Sequence, residues 1–511
     1  MGETELNSKR EKSFLRKCSY GFADIYGGGA FVVISTFYTA FLTKALGMPV
    51  ALAGTIPLIG KVWDAVTDPV MGNIADRTHS KFGAKRFYIL IGSIISALTF
   101  LLMWITFPGN SMSGKYIFYM LMYMLFSTGF TIVMVPYNAL LPDMVEDYTI
   151  RSKFSGIRMI FSTFGSIIAG LVPTLLVKDP TDSSAYLKVA VIFSVLFFIA
   201  IFLTFLGTWE KQKPVVKISM AQSFTQSFTV YKSHSFRLFI CIFLCGQGAA
   251  DFVTGLAVYY IDDVLNAYGG GRFTILMGVL LLSQFAGTIL FSVLMPKTSK
   301  KFPILVGFPV RIAATLALLF FSHDLVDPFT GVVNNAHFNG ILGLSFIIGL
   351  GMAASSTSIY AILADMADVD ELITSMNRPA TCSAMATFIR KIATGLSSSI
   401  IGLLLGVVGY NEVLAATGQN QSLTTQRGIA LIYIIAPIVL CIATLIFAVI
   451  FPMNKKQFEV VKKEIARRKG EDSSVATPEE IEICEKVTGY KYENLWNKAH
   501  ALQWSSKNKV N

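Results

Sequence analysis

The chain contains twelve mostly apolar stretches of about 20 residues or more, and they limit the folds that it can adopt. A helix needs about 20 apolar residues to cross the hydrocarbon core of a bilayer. Only 15% of the residues are charged, which is too few to cover the surface of a soluble protein of this size. We therefore predict an all-α membrane protein with twelve transmembrane helices. The predicted ranges are 20–44, 50–75, 87–107, 116–141, 155–177, 187–208, 236–264, 273–296, 302–322, 338–364, 382–408 and 428–452.

Lysine and arginine concentrate in alternate loops, which predicts the orientation. The N-terminal segment and the loop between the second and third helices are basic, whereas loops 108–115 and 323–337 together carry one lysine. Because cytoplasmic loops are enriched in these residues, both termini are predicted to face the cytoplasm of a multi-pass protein in the cell membrane. The net charge of +11 resides largely in such loops, so we expect no nucleic-acid partner.

A polar segment in the middle of the chain separates two halves of six helices each. Two such halves, with a substrate site at mid-membrane, are a recurrent arrangement in transporters. The predicted division is an N-terminal bundle (1–208), a cytoplasmic linker (209–235), a C-terminal bundle (236–452) and a cytoplasmic tail (453–511).

Two helices are predicted in the tail. The first is basic, runs from Lys455 to Lys469 and is ended by Gly470. The second starts at Thr477, with Pro478 at its first position and a glutamate to complete a capping box. This tail is expected to be a solvated appendage, or else a regulatory element that binds a cytoplasmic partner.

Two aspartates, Asp64 and Asp68, lie one helical turn apart inside the second apolar stretch. Each costs roughly 2.5–3.5 kcal/mol to place at mid-membrane. Lys61 falls on the same face, because seven residues are nearly two full turns. We expect this stripe to face a water-filled cavity in which the paired carboxylates hold a small cation. The alternative is a structural ion pair with Lys61.

Other ionisable residues mark two further places. Asp251 and Gln247 lie four residues apart in the seventh helix and either contribute to the cavity or form an interhelical hydrogen bond. Asp365, Asp368 and Arg378 cluster beyond the predicted end of the tenth helix. They predict a salt-bridge network that gates the cytoplasmic side, with a solvated face as the alternative.

Several motifs, in the same order along the chain, resemble those of the glycoside–pentoside–hexuronide:cation symporters of the major facilitator superfamily. The resemblance implies the major facilitator fold, with twelve helices in two six-helix bundles. The motifs are Tyr20-Gly21-Phe22-Ala23-Asp24, Trp63 to Asp68, Gly72 to Arg77, Val135 to Pro142, Arg158, Leu363 to Glu371 and Lys391.

The resemblance implies a cation site for Na⁺ or H⁺ at Asp64 and Asp68, with Thr131 and, more weakly, Thr67 as further ligands. Hard oxygen ligands suit Na⁺, and carboxylates can instead take a proton. Lys61 would neutralise the acids when the cation is absent. In the loop between the second and third helices, Asp76 and Arg77 would latch the two halves together.

The substrate site implied by the resemblance consists of Arg158, Lys391, Tyr137 and Asn138, with Asp24 one turn before Gly28. Two acids that grip sugar hydroxyls in the melibiose carrier fall here on Gly28 and Met134. Losing two acids while keeping two bases would make the cavity more positive, which favours an anionic substrate such as a hexuronide.

The function predicted from these features is uptake of a glycoside, pentoside or hexuronide with a monovalent cation by alternating access. No cofactor is expected, and an enzyme is the least favoured class, because the chain offers no nucleophile–base or metal set. One alternative is a carrier of lysophospholipids or other amphiphiles with the same fold. Another is a non-transporting sensor that signals through its tail.

Overall fold

The computed structural model describes residues 13–78, 80–109, 111–145, 148–210, 226–267, 271–321, 335–376 and 378–502. Most of the predicted linker (211–225) and the side chains of Asp76 and Arg77 therefore lie outside the described residues. The described part consists of helices and their connections, without strands. Eleven of these helices are long and apolar enough to span a membrane, and the interrupted helical segment at the N-terminus supplies the twelfth span.

The twelve spans follow the predicted ranges closely. Span α1 is built from the helical segments Phe14–Gly21, Ala23–Val33, Ile34–Tyr38 and Phe41–Ala45. The next five spans are α2 (Val50–Arg77), α3 (Ala84–Leu102), α4 (Met112–Met144), α5 (Tyr148–Leu176) and α6 (Ser183–Gly207). The C-terminal half contains α7 (His234–Tyr259, extended by Tyr260–Val264), α8 (Arg272–Leu294), α9 (Phe302–Ala317), α10 (Asn335–Thr374), α11 (Pro379–Val407) and α12 (Leu423–Ile450).

Two of these spans contain π-helical turns. Segments Ile34–Tyr38 and Phe41–Ala45 of α1 and segment Tyr260–Val264 of α7 have this geometry. A π turn closes its hydrogen bonds over one more residue than an α turn and is frequent at functional sites. Both spans end on the side opposite the termini, so these turns lie toward the extracellular face.

The two six-helix bundles contact each other through the extracellular halves of their helices. The closest approach is between α2 and α11, where a side chain at Gly54 would meet the Ser398 carbonyl and one at Gly402 would meet the Val50 carbonyl. Helix α1 also packs against α7, and α5 against α8. Glycine at these positions lets the backbones touch, and the contact closes the extracellular side.

On the cytoplasmic side, the described ion pairs join residues of the same bundle. Lys85 pairs with Asp143 in the N-terminal half, and Lys300 pairs with Asp365 in the C-terminal half. The described polar contacts between the bundles all lie at mid-membrane or nearer the extracellular face. We call this arrangement, in which the described contacts between the bundles lie at mid-membrane or toward the extracellular face, inward-open.

Helix α10 is longer than predicted. The expected end at residue 364 was wrong, because the helix continues to Thr374 and carries Asp365 and Asp368 in its last three turns rather than in a loop. Its apolar residues Val369 and Leu372 remain buried in this extension. They are covered by the tail, which supplies a partner that hydropathy alone does not reveal.

Both predicted tail helices are confirmed, as α13 (Lys455–Lys469) and α14 (Pro478–Thr488). Helix α13 ends at Gly470, whose φ of 81° is in the left-handed region that favours glycine. The Thr477 hydroxyl accepts from the Glu480 backbone N–H, and the Glu480 carboxylate accepts from the Thr477 N–H. These reciprocal bonds form the predicted capping box.

Candidate functional site

Asp64 lies fully buried in α2. Its Oδ2 is 3.1 Å from Lys61 Nζ and 3.9 Å from Lys391 Nζ of α11. Its Oδ1 has no hydrogen-bond partner in the described part of the protein. A buried carboxylate oxygen without a donor is costly, and a bound cation or proton would reduce that cost.

Asp68 lies one turn further toward the cytoplasm and is partly exposed. Its Oδ1 accepts a 2.7 Å hydrogen bond from Thr131 of α4, and its Oδ2 pairs with Lys391. The carboxylates of Asp64 and Asp68 and the Thr131 hydroxyl thus form a cluster of hard oxygen atoms between α2 and α4. Such oxygens suit a small monovalent cation.

Lys61 and Thr67 have different relations to this cluster. The Lys61 ammonium is buried beside Asp64, 3.6 Å from the centroid of the Phe31 ring. The Thr67 hydroxyl donates to the backbone carbonyl of Trp63 in its own helix. Thr67 is therefore turned to its helix backbone, and the structure does not bring its hydroxyl to the two acids.

Asp24, Tyr137 and Arg158 form a second group, contributed by α1, α4 and α5. The Arg158 guanidinium pairs with Asp24 and lies 4.8 Å from the centroid of the Tyr137 ring. The Tyr137 hydroxyl donates to the Tyr20 carbonyl at 2.9 Å and lies 3.3 Å from Asp24 Oδ2. Asn138, the next residue along α4, is exposed, and no contact with this group is described for it. The structure thus brings together Asp24, Tyr137 and Arg158 of the predicted substrate residues, on the N-terminal bundle.

Asp251 forms a two-point ion pair between helices, in line with the predicted alternative of an interhelical hydrogen bond, but its partner Arg390 was not foreseen. Its two carboxylate oxygens each accept a 2.6 Å hydrogen bond from Arg390 of α11. Gln247, one turn before Asp251, is half-buried on α7. The sequence could have indicated this partner. Charged side chains within a membrane pair with one another, and Arg390 is a second base beside Lys391 in the eleventh span.

A small polar cavity lies between the bundles on the extracellular side of this ion pair. Its walls come from α1, α7 and α11, and most of the lining side chains carry hydroxyl groups. The polar lining residues are Ser35, Thr39, Asp251, Thr394, Ser397 and Ser398. Of these, Ser35, Thr394 and Ser398 donate to their own helix backbones, which leaves their oxygen lone pairs available to a ligand.

The structure explains why position 28 is a glycine rather than an acid. A Cβ at this position would lie 2.7 Å from both the carbonyl and the hydroxyl oxygen of Ser162, because α1 and α5 pack closely there. A carboxylate at position 28 would meet oxygen atoms of α5 with no room between the helices. Position 28 therefore does not accommodate an acid, and the acid that α1 carries in this region is Asp24, one turn earlier.

The predicted gating acids have partners within the C-terminal half. Asp365 pairs with Lys300, whereas Arg378 forms a two-point pair with Asp370 at 2.7 and 2.9 Å. Asp368 lies on α10 between these two pairs. In this inward-open arrangement, the structure does not bring the described gating residues to the N-terminal bundle.

A cluster at the extracellular face was also not foreseen. Lys44 of α1 is buried between Asp262 and Asp263 of α7, and each ion pair measures 2.6 Å. The Thr43 and Tyr259 hydroxyls lie 2.8 Å apart beside it. These residues join the two bundles where the extracellular side is closed. We call Lys44, Asp262 and Asp263 the outer gate.

Residues 19–455 match the family described as MFS/sugar transport protein. The uncharacterized symporter YjmB of Bacillus subtilis strain 168 is 26% identical over 471 residues, which are 91% of this chain and 97% of that protein. The glucuronide carrier protein homolog of Escherichia coli K12 is 24% identical over 458 residues, 88% of this chain and 95% of that protein. A bacterial homolog of the human lysosomal transporter Spinster has a TM-score of 0.61 at 14% identity, covering 93% of this chain and 100% of its own.

Two six-helix bundles around a central cavity with charged side chains define a transporter of the major facilitator superfamily. The chain belongs to the MFS/sugar transport protein family, and the resemblance to the glycoside–pentoside–hexuronide:cation symporters is confirmed. It is a multi-pass protein of the cell membrane.

Proposed function

We propose that this protein couples uptake of a sugar to a monovalent cation, Na⁺ or H⁺, by alternating access. The observation that carries the proposal is the buried Asp64 Oδ1, which has no donor in the described part of the protein and lies in a cluster with Asp68 and Thr131. A cation bound there would supply the missing partner. The Thr67 hydroxyl would at most support the cation site indirectly, because it donates to the backbone of its own helix.

Coupling would act through Lys391. This lysine belongs to the C-terminal bundle, yet its partners Asp64 and Asp68 belong to the N-terminal bundle. A cation that neutralises the two acids would release Lys391 and remove a mid-membrane contact between the bundles. Binding energy for the cation would therefore shift the equilibrium between the two access states, which is the thermodynamic requirement for coupling.

The charges of the cavity favour an anionic sugar, for a reason that differs from the first prediction. Each base has an acid partner, so the cavity is not positive: the acids are Asp24, Asp64, Asp68 and Asp251, and the bases are Lys61, Arg158, Arg390 and Lys391. Adding a cation would leave one uncompensated positive charge at mid-membrane, which is costly. A sugar carboxylate would restore neutrality, so a hexuronide is the favoured substrate. The name of the glucuronide carrier protein homolog refers to a sugar of this kind.

Uptake into proteoliposomes tests the proposal. An α-galactoside, a β-xyloside, a β-glucuronide and a lysophospholipid would each be supplied with and without an inward Na⁺ or H⁺ gradient. We expect gradient-driven uptake of the β-glucuronide, and its loss in Asp68→Asn. Glu459→Gln, which changes an exposed acid of the tail, is the matched control and should transport normally. Equal gradient-driven uptake by wild type and Asp68→Asn would contradict the coupling mechanism.

The alternatives give different results in the same assay. Uptake of the lysophospholipid alone would identify an amphiphile carrier. Binding of one of the four compounds by the full chain without transport of any of them would favour a sensor. A transporter rather than an enzyme is what the family and the relatives support.

A further inference from the structure

The tail is docked against the cytoplasmic end of the C-terminal bundle. Val461 of α13 and Val487 of α14 are fully buried, and they belong to the same apolar cluster as Phe239 of α7 and Leu372 of α10. Cys484 is also fully buried there. A solvated appendage would leave these side chains in water, so the tail is an integral part of the folded protein.

Backbone groups of the tail complete the end of α10. The N–H groups of Trp496 and Asn497 donate to the carbonyls of Leu372 and Ile373 at 2.9 and 3.0 Å. The last carbonyls of a helix otherwise have no partner within the helix. At the start of α7, the Ser235 hydroxyl donates to the Val487 carbonyl at 2.5 Å. The tail thus ties the cytoplasmic ends of α7 and α10 to each other.

Several bases in the second half of α13 pair with specific acids. Lys469 pairs with Glu371 of α10 at 2.7 Å. Glu464, which is buried, accepts from Arg467 and Arg468 of its own helix and from the Tyr492 hydroxyl at 2.6 Å. Lys469 therefore neutralises an acid at the same end of α10 as Asp365 and Asp368, where the sequence predicted a gate.

We propose that the tail is an autoinhibitory brace, which holds the cytoplasmic ends of α7 and α10 in the inward-open arrangement and must loosen before the cytoplasmic side closes. Closure of the cytoplasmic side would require the ends of α7 and α10 to move relative to each other, and the docked tail, which ties them together, would oppose that movement. The inference rests on alternating access, but not on the substrate or the coupling ion. It concerns residues that lie mostly beyond the family match, which ends at residue 455.

Release of the tail and opening of the extracellular side can each be followed by the reactivity of one cysteine, the first natural and the second introduced. Burial raises the pKa of the Cys484 thiol to about 12, so a maleimide will modify it at neutral pH only when the tail leaves the bundle. Ile401 is 4% exposed in the extracellular half of α11. In an Ile401→Cys background, a membrane-impermeant maleimide added outside right-side-out vesicles reports on opening of the extracellular side. Site-resolved mass spectrometry separates the two modifications.

The variant Lys469→Glu places two acids together and should loosen the tail. We expect faster modification of Cys484, and a two- to five-fold faster modification at position 401, equivalent to about 0.4–1 kcal/mol in the balance of access states. Lys469→Glu combined with Glu371→Lys should restore both rates. Lys455→Glu makes the same charge change at an exposed position of α13 and should alter neither.

Val487→Asp is the stronger perturbation, because it puts a charge into the buried docking cluster. If Cys484 becomes reactive in this variant while position 401 reacts at the wild-type rate, the tail is docked without controlling access and the proposal is wrong. A charge swap that fails to restore the wild-type rates would also contradict it. Neither measurement uses a sugar, so a failure of the sugar-uptake assay would leave this conclusion standing.

Discussion

Breaking the outer gate should shift the carrier toward its outward-facing state. In Lys44→Met, the carboxylates of Asp262 and Asp263 would lose the ammonium that lies 2.6 Å from each of them. Lys44 and Asp263 are 1% and 7% exposed in the closed gate, so water cannot replace the lost charge there. When the extracellular side opens, the same carboxylates can be hydrated. The substitution therefore destabilises the closed gate selectively.

The size of the shift follows from the burial of the three groups. Removing one partner of a buried ion pair typically costs about 3–5 kcal/mol. Because the Asp262 side chain is 28% exposed, screening by water reduces its share, and the lower end of about 3 kcal/mol applies. At 1.4 kcal/mol for each factor of ten, the ratio of outward- to inward-facing molecules should rise about a hundred-fold.

Modification of Ile401→Cys from the extracellular side measures this ratio. We expect at least a ten-fold faster reaction in Lys44→Met, since the rate saturates once most molecules face outward. Adding Asp262→Asn and Asp263→Asn to the same chain removes the unpaired charges and should return the rate toward wild type. A Lys44→Met rate within two-fold of wild type, or a triple variant that stays as open as the single one, would refute the electrostatic reasoning.

Two further substitutions test the packing. Gly28→Ala should lower the melting temperature in detergent, because its Cβ would lie 2.7 Å from the Ser162 oxygens. The control is Gly156→Ala on α5, which should be tolerated because its Cβ would have no heavy atom within 4 Å. Equal melting temperatures of the two variants would contradict the close approach of α1 and α5. Arg311 is fully buried in α9, where Nη2 donates a 2.9 Å hydrogen bond to the Ala249 carbonyl and the guanidinium lies 5.9 Å from the centroid of the Phe308 ring. Its Nε and Nη1 have no hydrogen-bond partner in the described part of the protein. Arg311→Met should therefore raise the melting temperature by removing an uncompensated charge, and a large decrease would show that the guanidinium has a favourable partner.

The membrane topology could be predicted from the sequence because each span is an independent hydropathy signal. The pair Asp64 and Asp68 could be found for a similar reason, since one helix places both side chains on one face. The tail capping box was equally local, with all its atoms between Thr477 and Glu480. These features depend on residues that are close in the chain, where helical geometry fixes their relation.

The missed contacts join residues that are far apart in the chain. Asp251 and Arg390 are separated by 139 positions, and Lys44 and Asp263 by 219. Their pairing depends on how the helices rotate and cross, which a single sequence does not specify. The extension of α10 was missed because the tail that covers Leu372 comes more than eighty residues later.

The π turns of α1 and α7 carry the outer gate, with Lys44 in Phe41–Ala45 and Asp262 and Asp263 in Tyr260–Val264. Each turn contains one residue more than an α-helical turn, and one residue rotates a helix by about 100°. A relative with ordinary α turns at these places would need one residue fewer to keep the following side chains in register. Single-residue gaps in an alignment at these two sites would therefore record the gain or loss of a π turn. A gap in α1 without a matching gap in α7, or the reverse, would turn the lysine and the aspartates away from each other.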